Sequence, residues 1–319
     1  MFSAETRYTV NEWFTTRKKL VIGLIVVVLL LIFYPVSMLI AHKVNADVDF
    51  TLAEEELAPG GSRAVAMSIA LIDREVEQTG WVANKPFPFP SSLLDNMPNF
   101  QIGLMYAMSR FSIELTDELG RSRGSSQVDP DLDKASGLLK YDGKIWIWDP
   151  STSLLPTASA DRQYIAGKKA LMRYNDRLAQ GQAVFDRRAD NLIAFLERVG
   201  ADLGSSSASL DLRANASDAG WFDLYADDVF YATKGRLYGY YMILRELGAD
   251  YQDIIAEKKV GTVWQKMLDN LRTAAEMDPM IISNGYNDGL MMPSHLAVQG
   301  FYLLRARTQL KEVANILLK

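Results

Sequence analysis

The chain has 319 residues, two histidines, no cysteine and a formal net charge of −5. Without cysteine there can be no disulfide, thiolate zinc site or iron–sulfur cluster, and the acidic balance argues against nucleic acid, which calls for a basic face. The chain is long enough for one large domain or two smaller ones with their own cores.

Residues 20–40 (LVIGLIVVVLLLIFYPVSMLI) carry no charged side chain. A helix rising about 1.5 Å per residue needs about 20 apolar residues to cross roughly 30 Å of hydrocarbon. The run therefore predicts a transmembrane helix over 20–42, in contact with the lipid bilayer, behind a tail at 1–19. Pro35 is expected to kink it, which neighbouring backbone adjustments make tolerable in a membrane. A cleaved secretory signal is the competing reading. Signal cores run about 7–15 residues, however, and no small-x-small cleavage site follows before Asp47. Four of the five Lys and Arg among the first 43 residues (Arg7, Arg17, Lys18, Lys19) precede the run, and that stretch carries +3 against −8 on residues 44–319. The positive-inside rule then assigns the tail to the cytoplasm and 43–319 to the far side, the periplasm of a bacterium.

Beyond the anchor, residues 62–79 space Val65, Ile69, Ile72 and Val76 as a helix does and are expected to stop at Gly80. The Pro-rich 81–91 (WVANKPFPFPS) is expected to be extended. Ser91 or Ser92 is the expected cap of a helix reaching about residue 119, interrupted at Met97-Pro98, with Leu104, Ala107, Phe111 and Leu115 as core. The alternation in 144–149 (KIWIWD) predicts a short strand or extended segment, and the change of pattern here offers a sub-boundary near 120–158. Residues 159–199 predict one long helix, with Leu171, Leu178, Phe185, Leu192 and Val199 at seven-residue intervals and Tyr174 and Phe195 beside them. Gly181 and Arg188 in the remaining seam positions favour a bundle over a coiled coil. Further helices are expected over 219–247, 251–277 and 294–318. The fold class is thus mainly α: one N-terminal transmembrane helix, then a helical-bundle periplasmic domain with a short extended or β segment.

Candidate chemistry is sparse. Asp129, Asp131 and Asp133 alternate like the start of a calcium loop, but Lys134 and Lys140 stand where that loop needs Gly and Glu, which favours a capped helix start. Asp223, Asp227 and Asp228 lie among aromatics (Trp221, Phe222, Tyr225, Phe230, Tyr231). Paired carboxylates there could serve acid–base cleavage of a glycan; the plainer reading is a capped helix with aromatic core. The NGYNDG stretch at 284–289 reads as a loop between helices, and His295 beside it as structural. No cofactor motif is present. Trp81, Phe87, Phe89, Trp146 and Trp148 are the candidate interaction residues, since exposed aromatics often mark contacts.

Several passages together resemble a proteobacterial family catalogued only as a domain of unknown function, number 2333: PSSLLDNMPNFQ (90–101), GRSRGSSQVDPDLDKASGLLK (120–140), IWIWDP (145–150), DDVFYATKG (227–235) and NGYNDGLMMPSHLAVQGFYLL (284–304). The resemblance implies residence in a bacterial inner membrane and no activity or catalytic residue. The leading expectation is non-enzymatic: a bitopic protein whose helical domain binds another envelope or membrane protein, or itself. The alternatives are a peptidoglycan hydrolase using the paired carboxylates and a periplasmic ligand-binding subunit. The short tail leaves no room for a signalling domain, so a sensor would need a partner.

Overall fold

The computed structural model describes residues 4–53, 57–120, 128–148, 150, 154–216, 223–285 and 294–319. The apolar run and the residues before it form one uninterrupted helix, α1 (Ala4–Ala41), with Pro35 inside it. Within its segment Thr16–Ala41 an 18-residue window reaches a mean hydropathy of 2.9, and the segment is long and apolar enough to cross a membrane.

Nine further helices follow among the described residues: α2 (Arg63–Asp73), α3 (Asn96–Glu114), α4 (Pro130–Leu139), α5 (Ala160–Ala179), α6 (Ala189–Ala214), α7 (Leu224–Asp250), α8 (Gln252–Glu257), α9 (Gly261–Glu276) and α10 (His295–Leu317). Five of them start at short polar side chains that accept orphan backbone N–H groups: Ser62 from Val65, Asp95 from Asn96, Asp129 from Asp131 and Leu132, Asp223 from Ala226, and Ser294 from Ala297. Both α2 and α3 run on into a wider π turn, Arg74–Gln78 and Leu115–Leu119. The first is closed by Gly80 at φ +90°, a backbone angle that suits a residue without Cβ.

α7 is the axis of the fold. Phe230, Leu237, Tyr238, Tyr240, Met242, Ile243, Leu244 and Leu247 are fully buried around its circumference, which marks a helix surrounded by protein. α3 packs most extensively on it, α2 and α9 flank it, α10 joins α9 to α6, and α4 pairs with α5 against α3 and α2. The core formed by these helices is continuous from Val48 to Leu317. At the α3–α7 crossing two glycines permit backbone contact. A Cβ on Gly103 would lie 2.1 Å from the Ala232 carbonyl oxygen, and one on Gly235 2.0 Å from that of Phe100.

Several expectations need correction. The single helix over 159–199 is two helices, α5 and α6, separated by residues 180–188. The break begins at Gly181, at φ +71°, where the Gln182 N–H reaches back to the Arg177 carbonyl, a glycine-closed helix end. It ends at Arg188, so the two non-apolar seam positions bracket it. Phe185 inside the break is still buried, edge-on to Tyr251. α3 starts at Asn96, later than expected, and Pro98 falls in its first turn, where no intrahelical donor is lost. Before it, Pro90–Leu93 forms only a short 3-10 turn. The expected helix over 251–277 is divided at Lys259, at φ +53°, into α8 and α9.

Residues 145–147 lie outside the helices and form no strand. Ile145 and Ile147 accept N–H bonds from Ala160 and Thr157, two rungs against a single neighbour. Among the described residues the only β pairing is an isolated bridge between Asn284 and Ser294. The expected start of a helix at 219, Trp221 and Phe222, and residues 286–289 of the NGYNDG loop lie outside the described residues.

Candidate functional site

The segment that leaves α1 does not hang free. Val48 and Leu52 are buried in the bundle core, and their neighbours' carbonyls are held from α7 and the α2 π turn. Arg245 donates to the carbonyls of Val48 and Phe50, the Tyr238 hydroxyl to that of Asp47, and Arg74 to that of Asn45. Arg74 is itself buried, bonded to Tyr238 and paired with the buried Glu75, whose carboxyl burial pushes up despite the adjacent guanidinium. Gln101 of α3 completes this network by donating to Glu75. Charged hydrogen bonds to a backbone strand are individually strong, so residues 44–50 act as a strap that fixes the bundle relative to α1.

Contact continues on the other side of the strap. The Tyr34 hydroxyl of α1 donates to the Pro88 carbonyl at 2.8 Å, and the Lys43 N–H meets the Met97 sulfur. Tyr34, Ser37, Met38 and Ala41, at spacings of three and four, are the partly covered face of the last turns of α1. They pack on the Pro90–Leu93 turn. Here the candidate aromatics divide. Phe87 is 74% exposed and Phe89 46%, Trp148 is 53% exposed, and Phe89 meets Trp146 edge-on at 6.2 Å. Trp81 is not a surface residue: it is 2% exposed, its indole N–H bonds the Gly143 carbonyl, and its ring stands edge-on to Tyr164. The sequence around Trp81 is Pro-rich and polar, but both groups that bury it arrive from more than sixty residues away.

The carboxylate candidates are held apart in role. Asp223 caps α7, is buried, and is clamped by Arg213 and by the Asn284 amide. Burial pushes its carboxyl up, but the Arg213 guanidinium and Asn284 together hold it below the usual range. It is therefore engaged as a structural acceptor. Asp228 accepts from the Asn99 amide at 2.6 Å, and burial beside Asp95 raises its carboxyl. Asp227 is raised to about 6, first by burial and then by Asp95, Asp228 and Asp223. A carboxyl that holds its proton more tightly when folded contributes stability that is full below about pH 4 and is lost as pH rises through about 6. Asp227→Asn should therefore be more stable than the parent at neutral pH, by about 1 kcal/mol, and show a flatter stability profile between about pH 4 and 6 in urea titrations.

Asp129 and Asp131 are occupied by cations of α5. Arg177 contacts both and Arg173 contacts Asp131, while Asp133 is exposed. Burial raises the Asp129 carboxyl, and Arg177 with two backbone N–H groups outweighs that and lowers it. Two guanidiniums thus engage the two part-buried carboxylates, Asp129 and Asp131. Among the described residues no cluster of three His, Cys, Asp or Glu side chains is arranged to hold a metal ion. His295 closes the bridge between residues 284 and 294: its Nδ1 accepts the Ser283 N–H at 3.0 Å, and burial lowers its pKa. An accepting Nδ1 leaves the ring N–H on Nε2.

One surface has no precursor among the sequence candidates. The outward stripe at the start of α10 is mainly apolar, with Val298 41%, Phe301 55% and Leu304 44% exposed and the Arg305 guanidinium over the Phe301 ring, whereas the same side of its second half carries Thr308, Lys311 and Glu312. Met280 and Ile281, in the connection leading to α10, are exposed as well. The signal is a helix whose apolar residues exceed one stripe, which periodicity alone assigns to the core.

A family model described as an uncharacterized protein conserved in bacteria matches residues 7–220 and 213–319. No curated protein and no solved structure matches.

Proposed function

The chain belongs to the uncharacterized bacterial family DUF2333, and on that premise we propose that it is a single-pass inner-membrane protein whose periplasmic helical bundle is a protein-interaction module of the envelope. The apolar helix with its basic N-terminal flank supports the anchor and the orientation. The observation that carries the interaction role is the exposed Val298–Phe301–Leu304 stripe of α10, with Met280 and Ile281 exposed in the connection that precedes it. Contiguous apolar surface on one half of a helix, with polar residues on the other half, is the pattern of a contact patch. The partner is another envelope protein or a second copy of the chain. The glycan-hydrolase reading is weaker, because Asp223 is a buried, arginine-clamped cap and cannot act with Asp227 or Asp228 as acid or base.

The test is site-specific photocrosslinking in cells at native expression. A photoreactive residue at Phe301 should give one discrete adduct, identifiable by mass spectrometry, and the same residue at the exposed Ser209 of α6 should give none. If Phe301 and Ser209 yield the same diffuse background, the α10 surface is not an interface.

A further inference from the structure

The exposed aromatics beside α1 belong to a different surface from the α10 stripe, and their height along α1 identifies what covers them. The basic residues Arg17, Lys18 and Lys19 fix the inner boundary of the apolar run, since their charges stay at the headgroups. From Lys19, Tyr34 lies fifteen residues along a continuous helix, about 22 Å at 1.5 Å per residue. A hydrocarbon core is roughly 30 Å thick. The Pro88 carbonyl, bonded to Tyr34, is therefore level with the outer part of the slab and not above it.

The composition of this edge agrees with that depth. Between Lys85 and Asp95, and again between Lys144 and Asp149, there is no charged residue. Both windows instead present aromatic and aliphatic side chains outward: Phe87, Phe89 and Leu93 from the first, Ile147 and Trp148 from the second. The windows touch through the Phe89–Trp146 contact. Lys85 and Lys144 stand at their margins, where long cationic side chains can reach phosphate level. Water would be a poor neighbour for such an edge; the interfacial zone, where Trp and Tyr concentrate, is a good one.

We infer that the edge formed by residues 86–93 and 145–148 is a membrane-inserted wedge, seated in the outer leaflet beside α1. It rests on the reading of α1 as a span. With the 44–50 strap, it gives the bundle a second point of attachment, so the domain is held at one fixed attitude on the bilayer instead of swinging on a tether. The α10 surface is then presented at a fixed orientation to partners in the same membrane.

The absence of native cysteine allows single spin labels on the full chain in liposomes. Four positions are compared by collision with oxygen, which partitions into lipid, and with a water-soluble nickel chelate: F87C and W148C on the wedge, L29C within the span and S209C on α6. F87C and W148C should show an oxygen-to-nickel ratio shifted from the S209C value towards that of L29C. Water-like values at F87C and W148C with a lipid-like L29C overturn the wedge and leave the span standing, whereas a water-like L29C overturns the span and the wedge with it. Because replacing a wedge residue can loosen the edge, the parent chain is read in parallel. Acyl chains brominated near the headgroup should quench its tryptophan emission more than that of W148F, and equal quenching in the two overturns the wedge.

Discussion

Gly235→Leu should collapse the stability of the bundle, because the new side chain must grow into the backbone of α3. Its Cβ alone would stand 2.0 Å from the Phe100 carbonyl oxygen and 3.0 Å from the Leu104 nitrogen, and neither atom can rotate away. The two central helices must move apart, opening the tightest part of a core that includes Phe100, Leu104, Ala107 and Tyr238. Overpacking typically costs about 1–3 kcal/mol, and a backbone obstruction at the central crossing belongs at or above the upper end. Urea unfolding in mild detergent, followed by fluorescence of the buried Trp81 and Trp264, should show a loss of about 3 kcal/mol or more. Gly239→Ala, whose Cβ would meet the Ala107 Cβ at 2.8 Å and not a backbone carbonyl at 2.0 Å, is the milder companion if the leucine variant fails to accumulate. Gly137→Ala on α4 faces open space and should be neutral or slightly stabilising.

Asp202→Ala is the second large effect, and it arises from charge. Asp202 of α6 is 7% exposed and accepts from the Tyr106 hydroxyl, the Arg110 guanidinium and the Tyr240 hydroxyl. It thereby joins α6 to α3 and α7 across the interior. Tyr240 is fully buried, and burial with the facing carboxylate drives its hydroxyl pKa well above the ordinary value. Removing the acceptor leaves that hydroxyl unpaired and Arg110 with only Glu114 as its acidic partner, at 3.8 Å. Leaving the buried Tyr240 hydroxyl without its acceptor costs about 1–3 kcal/mol, and the part-exposed Arg110 adds less because water can solvate it. Asp202→Asn should lose less, and Arg110→Ala added to Asp202→Ala should recover part of the deficit in a double-mutant cycle. Strict additivity of the two substitutions would show that the pair does not act together.

Legibility in the sequence tracks the distance over which each feature is specified. The α1 run is legible because nearly every residue in it agrees, and the Asp129 cap is legible because the accepting side chain and the N–H donors lie within three residues. The division of α5 from α6 is not, because the seven-residue seam runs through it and only Gly181 and Arg188 hint at a break. The strap is invisible for a different reason: Arg245 and the Val48 carbonyl are 197 residues apart, and nothing local marks either as a partner. Trp81 fails in the same way, being buried by Gly143 and Tyr164 from beyond its own Pro-rich context. Of the aromatics proposed for contact, Phe87, Phe89 and Trp148 do face outward, and what the sequence lacks is their height along α1.

The proposal that α1 anchors the bundle on the outer side of the membrane is tested most directly by labelling with a membrane-impermeant maleimide on intact spheroplasts. The chain has no native cysteine, so S209C on the bundle and S3C in the tail can each be read alone. S209C should label fully before lysis and S3C only after it, with both remaining in the membrane fraction through an alkaline carbonate wash. The opposite labelling order, or release of the bundle from the membrane as a cleaved soluble protein, would contradict it.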